Sequence, residues 1–562
     1  MKFSEIKYTR PNLTSVETNF AELLSSFEKA NSTQKQLEII TQINNSRNHF
    51  ESMMTIASIN YSLDSSNEKN SEEQDFFDEN SPRYQNLINK YYKTILNSKF
   101  RNELEKEIGK QLFSIADLSL KTFNESVMPL LQQENKLCSE YTKLLASAKI
   151  TFDGKELNLS QLDPYLSSVD RSVRKNANTA KYIFFETNAA SLDSLFDELI
   201  KTRNEIAKQL GFKNFVELGY ARMLRGDYNA EMVKSYRNQI AEHIVPVASE
   251  LRKKQAKRIR LDKLFYYDES LYYLDGNANP KGEEKWIVNH AKTMYKELSK
   301  ETETFFNFMI DNELMDLTAR KGKATGGYCT YIPEAKSPYI FSNFNGTTHD
   351  IVVLTHEAGH AFQCFESRSF TLPEYNFPTY EACEIHSMSM EFLTYPWMHL
   401  FFEETTEKFM HSHICKALQF LPYGAAVDEF QHIVYDEPNL TPKQRREKWL
   451  ELEKKYVPHK DNEDCAFLNS GGFWQQQRHI YESPFYYIDY TLAQVCAFEF
   501  WKKASENREN AWKDYLHLCQ QGGSQSFLEL VKEANLTSPF KKGLLKEIAI
   551  YVKSELDKFK QF

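Results

Sequence analysis

Residues that break regular backbone structure are scarce in this chain. Its 562 residues include 18 glycines and 17 prolines, about 6% together, where average usage gives roughly 12%. Because glycine and proline end helices and form tight turns, their scarcity predicts long uninterrupted elements. An all-β sandwich needs many such turns, and collagen-like or linker-rich chains need far more of both residues. The sequence therefore predicts a mainly α protein.

The composition also limits the partners of the chain. Its net charge of −9, from 69 Lys+Arg against 78 Asp+Glu, argues against a nucleic acid or an anionic membrane surface as partner. We find no apolar signal segment at the N-terminus and no stretch of roughly 18 apolar residues that could span a bilayer. The eight cysteines include no C-x-x-C pair, which suits a reducing compartment. We therefore expect a cytoplasmic protein.

The order of predicted elements divides the chain in two. Apolar positions at spacings of three and four predict four long N-terminal helices, over 12–30, 33–63, 84–108 and 111–148. The polar stretch 65–82 is typical of a solvated loop or of the start of a helix. An Asp-Gly pair near residue 153 lies between two short alternating runs and predicts a small hairpin. We place the boundary just after it, which gives an N-terminal helical region, 1–165, and a larger region, 166–562.

The stretch from Lys321 to Gly346 differs from the rest. Two β-prone runs, Tyr328–Ile332 and Tyr339–Phe344, are bracketed by prolines and predict a hairpin in an otherwise helical chain. Five of the 18 glycines fall between residues 322 and 359, where even spacing would give about 1.2, so the backbone must turn tightly or be closely approached there. A helix is predicted to follow, with a threonine at 347 or 348 or the aspartate at 350 available to cap it.

That helix contains an H-E-x-x-H motif, His356 to His360. Histidines four apart lie on one face of a helix, one turn from each other, so both imidazoles can bind one metal ion. Glu357 is rotated by about 100° from His356, where it can reach a water on the metal without ligating the metal itself. The preceding run, Ile351–Leu354, is apolar, which predicts that this part of the helix is buried. Burial of two histidines costs free energy unless a partner such as a metal ion compensates for it. The motif predicts one zinc ion per chain.

A third protein ligand is needed, and the residues alone leave it open. The segment after His360 has neither the glycine nor the third histidine of a metzincin. The next segment, 380–391, offers several candidates. Glu381 and Glu384 are one turn apart, so periodicity does not choose between them. His386 and Cys383 are further candidates, although a free cysteine is more often a small buried hydrophobe.

Three blocks of the chain together resemble a known family. The run from Gly322 to Gln363 (GKATGGYCTYIP to VVLTHEAGHAFQ), the segment around Glu384 and residues 479–495 are similar to the oligoendopeptidase F and thimet oligopeptidase family of zinc metallopeptidases. N-terminal patterns, Thr55-Ile56-Ala57-Ser58 and the run 97–101, are consistent with the oligoendopeptidase branch. The resemblance therefore covers essentially the whole chain. The zinc motif alone is shared by many peptidases, whereas the combination of blocks is much more specific.

The resemblance implies roles for particular residues. It assigns Glu384 as the third zinc ligand, through the match of Glu384-Ile385-His386-Ser387 to the E-x-x-S segment of the family. Glu391, which also matches, is expected to orient a ligand histidine. In the third block, Tyr487 and His479 are implied to donate hydrogen bonds to the substrate oxyanion. Tyr486 and Tyr490 are implied to contact the substrate.

The same resemblance implies a mainly α, two-lobed body with a deep channel that admits short unfolded oligopeptides. Zinc would be held by His356, His360 and Glu384, and Glu357 would activate a zinc-bound water for attack on the peptide carbonyl. The hairpin beside the zinc helix would offer an edge strand to the peptide, or it would only support that helix.

Three questions stay open. Cobalt or manganese could also occupy such a site. A peptidyl-dipeptidase or carboxypeptidase shares the zinc arrangement but needs a cation for the substrate's terminal carboxylate. A catalytically silent peptide-binding protein on the same fold is the alternative from another class.

Overall fold

The computed structural model describes residues 2–320, 322–324 and 326–559. It is mostly helical, so the predicted mainly α class is confirmed. In chain order the helices are α1 Leu13–Lys29, α2 Thr33–Leu63, α3 Glu68–Leu96, α4 Arg101–Ile108, α5 Gln111–Lys121, α6 Met128–Ala146, α7 Leu159–Leu166, α8 Arg171–Gln209, α9 Phe215–Arg222, α10 Ala230–Gln239, α11 Val245–Arg258, α12 Glu284–Leu298, α13 Lys300–Asp311, α14 Thr348–Ser367, α15 Tyr380–Leu393, α16 His399–Phe402, α17 Thr406–Asp436, α18 Pro442–Tyr456, α19 Ala466–Asn469, α20 Arg478–Glu482, α21 Tyr487–Glu506, α22 Arg508–Gln521, α23 Phe527–Glu533 and α24 Leu544–Leu556.

Two small sheets interrupt the helices. Strands β1 Ile150–Phe152 and β2 Lys155–Leu157 form the predicted hairpin, whose turn residues Asp153 and Gly154 have φ of 52° and 70°. Positive φ at both central residues is what a type I′ turn requires, and it explains the Asp-Gly pair. The second sheet contains β3 Met315–Thr318, β4 Tyr328–Ile332 and β5 Ser337–Phe344.

This second sheet has the order β3-β5-β4, with β4 antiparallel and β3 parallel to β5. The hairpin of β4 and β5 was predicted, but β3 was not. Lys323 helps to hold β3, since its Nζ donates to Asp316 Oδ1 at 2.6 Å and to the Thr318 carbonyl at 2.9 Å. The central strand β5 is nearly fully buried, and the strand order makes β4 an edge strand of the described sheet.

Internal contacts divide the chain into two compact units. Unit 1 comprises the described residues up to Lys121, together with Asn279–Glu404 and Cys496–Thr537. Unit 2 comprises Thr122–Ala278, Thr405–Val495 and the described residues from Ser538. Each unit is discontinuous in sequence. The division into regions 1–165 and 166–562 stays a prediction. No helix within the described residues has the length and apolar character needed to cross a bilayer.

In unit 1, α14 packs against β5 on one side and α15 on another. The start of α14 is fixed by Asp350, whose carboxylate accepts the backbone N–H groups of Asn345 and Gly346 at 3.0 and 2.8 Å. These bonds satisfy amides at the turn where β5 ends and the helix begins. Leu354, Ala358 and other apolar residues of α14 are fully buried, so the helix is anchored in the core of its unit.

Candidate metal centre and tyrosine cluster

Three of the predicted site residues converge in unit 1. His356 and His360 lie one turn apart on α14, and Glu384 lies on α15; one ligand atom from each falls within 4.8 Å of the others. Glu384 Oε2 is 3.2 Å from His356 Nε2 and 3.5 Å from His360 Nε2. The helical spacing of four explains the pairing of the histidines, and the packing of α15 on α14 adds the carboxylate.

Polar contacts fix the orientation of two of these side chains. Glu391 Oε1 lies 2.7 Å from His356 Nδ1, which leaves Nε2 directed at the common point. Ser387 Oγ donates to Glu384 Oε2 at 2.9 Å. Burial opposes the charged form of His356, but its hydrogen bonds to Glu384 and Glu391 raise its pKa well above the ordinary value. The E-x-x-S segment and Glu391 thus support the three converging side chains.

The donor set fits zinc. Four-coordinate zinc bound to imidazole nitrogen and carboxylate oxygen has bonds of about 2.0–2.1 Å, which places ligand atoms roughly 3.3 Å apart. The separations of 3.2 and 3.5 Å from the Glu384 oxygen to the two imidazole nitrogens agree with that value. Two nitrogens and one oxygen leave a fourth position open, the arrangement of a catalytic rather than a structural site.

Glu357 lies beside this cluster and does not belong to it. Its side chain is buried, and burial raises the pKa of its carboxyl above the ordinary value. Gly327, just before β4, is its close neighbour: a β-carbon at Gly327 would lie 3.8 Å from Glu357 Oε1. The end of the edge strand is thereby next to the carboxylate that was predicted to act as the base.

The alternative ligands lie elsewhere on α15. Among the described residues, the cluster with metal-binding geometry contains Glu384 and does not include Glu381, Cys383 or His386. Cys383 is half-buried, and its Sγ is 3.3 Å from the Pro378 carbonyl. Burial lowers the pKa of His386 to about 4, which makes it a neutral core residue.

A groove of about 460 Å³ in unit 1 is lined by α2, α3 and the edge strand β4. The helices contribute Thr55 and Ser58 of the N-terminal block that resembled the family, and β4 contributes Tyr328, Cys329 and Thr330. An edge strand with open space beside it can accept an extended peptide as an additional strand.

The four residues of the third block are gathered in unit 2. The His479 ring lies 5.0 Å from Tyr487 and 5.7 Å from both Tyr486 and Tyr490, measured between ring centroids. The side chain of Gln477 contacts His479 Nδ1 at 2.9 Å. Burial raises the pKa of Tyr487, so its phenol stays protonated and can donate a hydrogen bond. We refer to these residues as the tyrosine cluster: His479, Tyr486, Tyr487 and Tyr490.

Residues that support the tyrosine cluster were not predicted. Phe485, just before it, has φ of 69°, which is rare for a bulky residue and costs energy unless its surroundings impose it. Its N–H donates to Gln431 Oε1 at 2.8 Å, and its carbonyl accepts from Arg225 at 2.6 Å. The ring lies directly over Gly219, where a β-carbon would be 2.5 Å from it. A glycine within helix α9 was the one sequence signal of this contact.

Comparisons with known proteins identify relatives of this chain. The model of the peptidase M3 N-terminal domain matches residues 3–123, and that of peptidase family M3 matches residues 164–550. The chain is 23% identical over 428 residues to an oligoendopeptidase F homolog of Borreliella burgdorferi, which spans 72% of this chain and 70% of the relative.

Solved structures are more similar still. PZ peptidase A, solved with an inhibitor, is 54% identical, with 100% of both chains covered and a TM-score of 0.96. A structure from Bacillus anthracis strain Ames, assigned as an oligoendopeptidase F, is 55% identical, covers 99% of this chain and 98% of its own, and has a TM-score of 0.91.

These matches define the class of the protein, a metallopeptidase that hydrolyses peptide bonds. More narrowly, the chain belongs to peptidase family M3, whose model covers well over half of it. The family resemblance, inferred from three sequence blocks, is confirmed, and so is the oligoendopeptidase F branch, inferred from the N-terminal patterns. Membership of this family implies a metal ion, and the converging histidines and glutamate are residues that fit one.

Proposed function

We propose that this chain is a zinc-dependent endopeptidase that hydrolyses short unfolded oligopeptides. The observation that carries the proposal is the convergence of His356, His360 and Glu384, with the buried Glu357 beside them. These three residues would hold the zinc ion, one per chain. A bound zinc ion acts as a Lewis acid that polarises a carbonyl oxygen and acidifies water.

Other residues of the chain would transfer protons, orient the metal ligands and bind the peptide. Glu357 takes a proton from the attacking water and passes it to the nitrogen of the leaving amine. Glu391 keeps His356 in the tautomer that presents Nε2, and Ser387 holds the Glu384 carboxylate. The peptide would lie along the edge of β4, in the groove that Thr55 and Ser58 border, with its backbone paired to the strand.

The tyrosine cluster would stabilise the charge that develops on the carbonyl oxygen. Tyr487 is protonated and can donate a hydrogen bond, and His479 is a second donor. Losing one such donor typically costs about 2.7–4 kcal/mol of transition-state stabilisation. Tyr486 and Tyr490, whose rings flank His479, would contact the substrate.

Cleavage of a quenched fluorescent peptide tests the base. Glu357→Gln should keep its zinc and lose at least a hundredfold in kcat, because general acid–base catalysis typically contributes 10²–10⁴-fold. Glu366→Gln on the same helix is the matched control and should keep wild-type activity. If Glu357→Gln cleaved the peptide at the wild-type rate, the base would be a different residue.

Metal content tests the third ligand. Glu384→Ala should lose zinc on gel filtration, because two histidines alone leave the ion weakly held. Glu381→Ala, one turn earlier on α15, should keep it. Full zinc in the Glu384 variant together with loss in the Glu381 variant would reverse the assignment.

A further inference from the structure

A cavity in unit 2 lies outside the residues to which a role has been given. Its volume is about 250 Å³, and one face of α17 forms much of its wall. The face consists of residues at helical spacings of three and four, which are Lys416, Gln419, Phe420, Tyr423 and Ala426. Aromatic rings from other elements, including Trp449 and Phe473, complete an apolar lining. The cavity thus combines aromatic walls with a lysine.

The charges that line this cavity do not cancel. Arg252 pairs with Glu269 at 3.4 Å, and Lys460 pairs with Glu453 at 2.6 Å. Within the part of the chain that the structure describes, Lys416 has no carboxylate and no hydrogen-bond acceptor; its nearest partner is the Tyr272 ring, 5.4 Å from Nζ. An exposed lysine on this wall leaves one positive charge in excess.

Two further donors in the wall lack an acceptor. The side-chain nitrogens Gln419 Nε2 and Trp449 Nε1 have no hydrogen-bond partner among the described residues. Gln419 is 9% exposed and Trp449 is 1% exposed, so bulk water does not satisfy them. Unpaired buried donors are costly. Both nitrogens are themselves buried, so the donor of this wall that a ligand can reach is the exposed Lys416, and its charge favours a ligand that carries an anionic oxygen.

The size of the cavity limits that ligand. An apolar cavity of about 150 Å³ holds benzene, whereas whole small-molecule ligands occupy roughly 300–1,000 Å³. A volume of about 250 Å³ therefore suits one ring-sized apolar group and a carboxylate, the content of one or two amino-acid residues. A larger molecule would have to extend out of it.

The cavity adjoins the tyrosine cluster through shared walls. The Tyr423 ring lies 5.7 Å from the Tyr487 ring, and Phe420 lies 5.5 Å from Tyr487 and 6.5 Å from Tyr490. Each peptide residue spans about 3.3–3.6 Å when extended. A peptide whose carbonyl is held at Tyr487 could therefore place a group in the cavity only a few residues away.

We propose that this cavity binds a carboxylate of the peptide substrate on Lys416, with an adjoining apolar side chain against the aromatic wall, and so acts as a specificity subsite. The proposal rests on the proposed peptidase function. The carboxylate could be the C-terminus of an apolar last residue, or the side chain of Asp or Glu beside an apolar residue. Either source presents the same anionic oxygens to the same lysine.

Two peptide pairs with one cleavage sequence test the subsite on the zinc-loaded full chain. The first pair ends in phenylalanine as free acid or amide; the second is amidated and carries Glu or Gln before the phenylalanine. Hydrogen bonds to charged groups predict that the wild type prefers the carboxylate member of one pair by about tenfold or more in kcat/KM. Lys416→Met should abolish that preference, and Lys416→Arg should restore most of it. The peptide pair in which Lys416→Met abolishes the preference identifies the source of the carboxylate.

A matched control and a second readout separate this proposal from the peptidase function. Lys443→Met removes an exposed lysine from the same unit and should leave both preferences unchanged. The second readout requires no catalysis. Equilibrium dialysis measures how tightly the metal-free protein binds N-acetylphenylalanine and its amide. The acid should bind at least tenfold tighter than the amide, and Lys416→Met should remove that difference.

The outcomes are distinct. Equal kcat/KM within both pairs, or a preference that survives Lys416→Met, would overturn the subsite while peptide hydrolysis itself stands. If no peptide is hydrolysed but the acid still binds in a Lys416-dependent way, the proposed function is wrong and the carboxylate site is supported. Equal binding of acid and amide would reject the site by the second readout.

Discussion

Gly359 lies so close to the backbone of α15 that a β-carbon built on it would be 2.6 Å from the His386 carbonyl oxygen and 2.7 Å from Ser387 Cα. Both neighbours are backbone atoms and cannot rotate away. Gly359 directly precedes His360, and His386 follows Glu384 by two residues. The glycine inside the zinc motif therefore sets how near Glu384 can come to the histidines.

Gly359→Ala should consequently weaken metal binding. The methyl group must push α15 away from α14, and overpacking of this kind typically costs about 1–3 kcal/mol of stability. We expect a lower zinc content after dialysis, measured by elemental analysis, and a lower thermal midpoint. A variant that retained full zinc through dialysis would show that the approach of the two helices does not control the site.

Gly424 makes a close contact in unit 2, with a side chain rather than with backbone. A β-carbon there would lie 2.2 Å from Thr491 Cγ2, on the helix that begins with Tyr487 and carries Tyr490. Gly424→Ala should displace the buried Thr491 side chain, disturb the start of that helix and lower kcat, while zinc content stays at the wild-type level. The two glycine variants are controls for each other, because each disturbs one half of the predicted site. Loss of zinc from Gly424→Ala would contradict this division.

Local periodicity was enough to predict the paired histidines but not their third partner. A spacing of four on a helix fixes His356 and His360 on one face whatever surrounds them. Glu384 comes from a second helix 24 residues after His360, and its approach depends on how α15 packs against α14. Glu381 has the same periodicity, so only the family resemblance or the packed structure distinguishes the two.

Tertiary contacts decide between the two predictions made for one segment of the scaffold. The polar stretch 65–82 was typical of a loop or a helix start, and the structure has the start of a helix: α3 begins at Glu68 and continues through Pro82. The side chain of Asn67 caps it by accepting the Asn70 N–H at 3.2 Å, and Phe77 buries its ring in the core. Burial of a few apolar residues outweighs a polar composition.

Glu391→Ala should reduce metal affinity without touching a ligand. Glu391 Oε1 is 2.7 Å from His356 Nδ1, and removing partners of this kind typically costs 10–100-fold in affinity or activity. Competition with a chelator of known zinc affinity measures the loss. Glu391→Gln keeps an acceptor oxygen and should lose less than the alanine variant. Equal zinc affinity in Glu391→Ala and wild type would remove Glu391 from the site.

Zinc should also stabilise the folded chain, independently of catalysis. A ligand that binds only the native state at 100 times its Kd contributes about 2.7 kcal/mol. The thermal midpoint of the metal-free protein should therefore rise on addition of zinc, whereas that of His360→Ala should rise much less. His290→Ala, which changes a partly buried histidine outside the cluster, serves as the control and should respond like wild type. An identical response in wild type and His360→Ala would place the bound zinc elsewhere.

A pH dependence of stability is expected from Glu499 on α21. Its carboxylate is partly buried and accepts the Thr537 N–H at 3.1 Å, and burial raises its pKa from 4.5 to about 7. Because the folded state holds this proton more tightly than the unfolded state, the stabilisation is complete below pH 4.5. It is lost as the pH rises through 7, by up to about 3 kcal/mol over that interval.

Glu499→Gln isolates this contribution, since glutamine resembles the protonated carboxyl at every pH. The variant and wild type should have similar thermal midpoints near pH 4.5, and the variant should become the more stable of the two as the pH approaches 8. Glu506→Gln, at the exposed end of the same helix, should show no such divergence. Other groups titrate equally in all three proteins, so the difference between midpoints reports Glu499 alone. A gap between Glu499→Gln and wild type that is constant from pH 4.5 to 8 would mean that Glu499 does not change its protonation in this range.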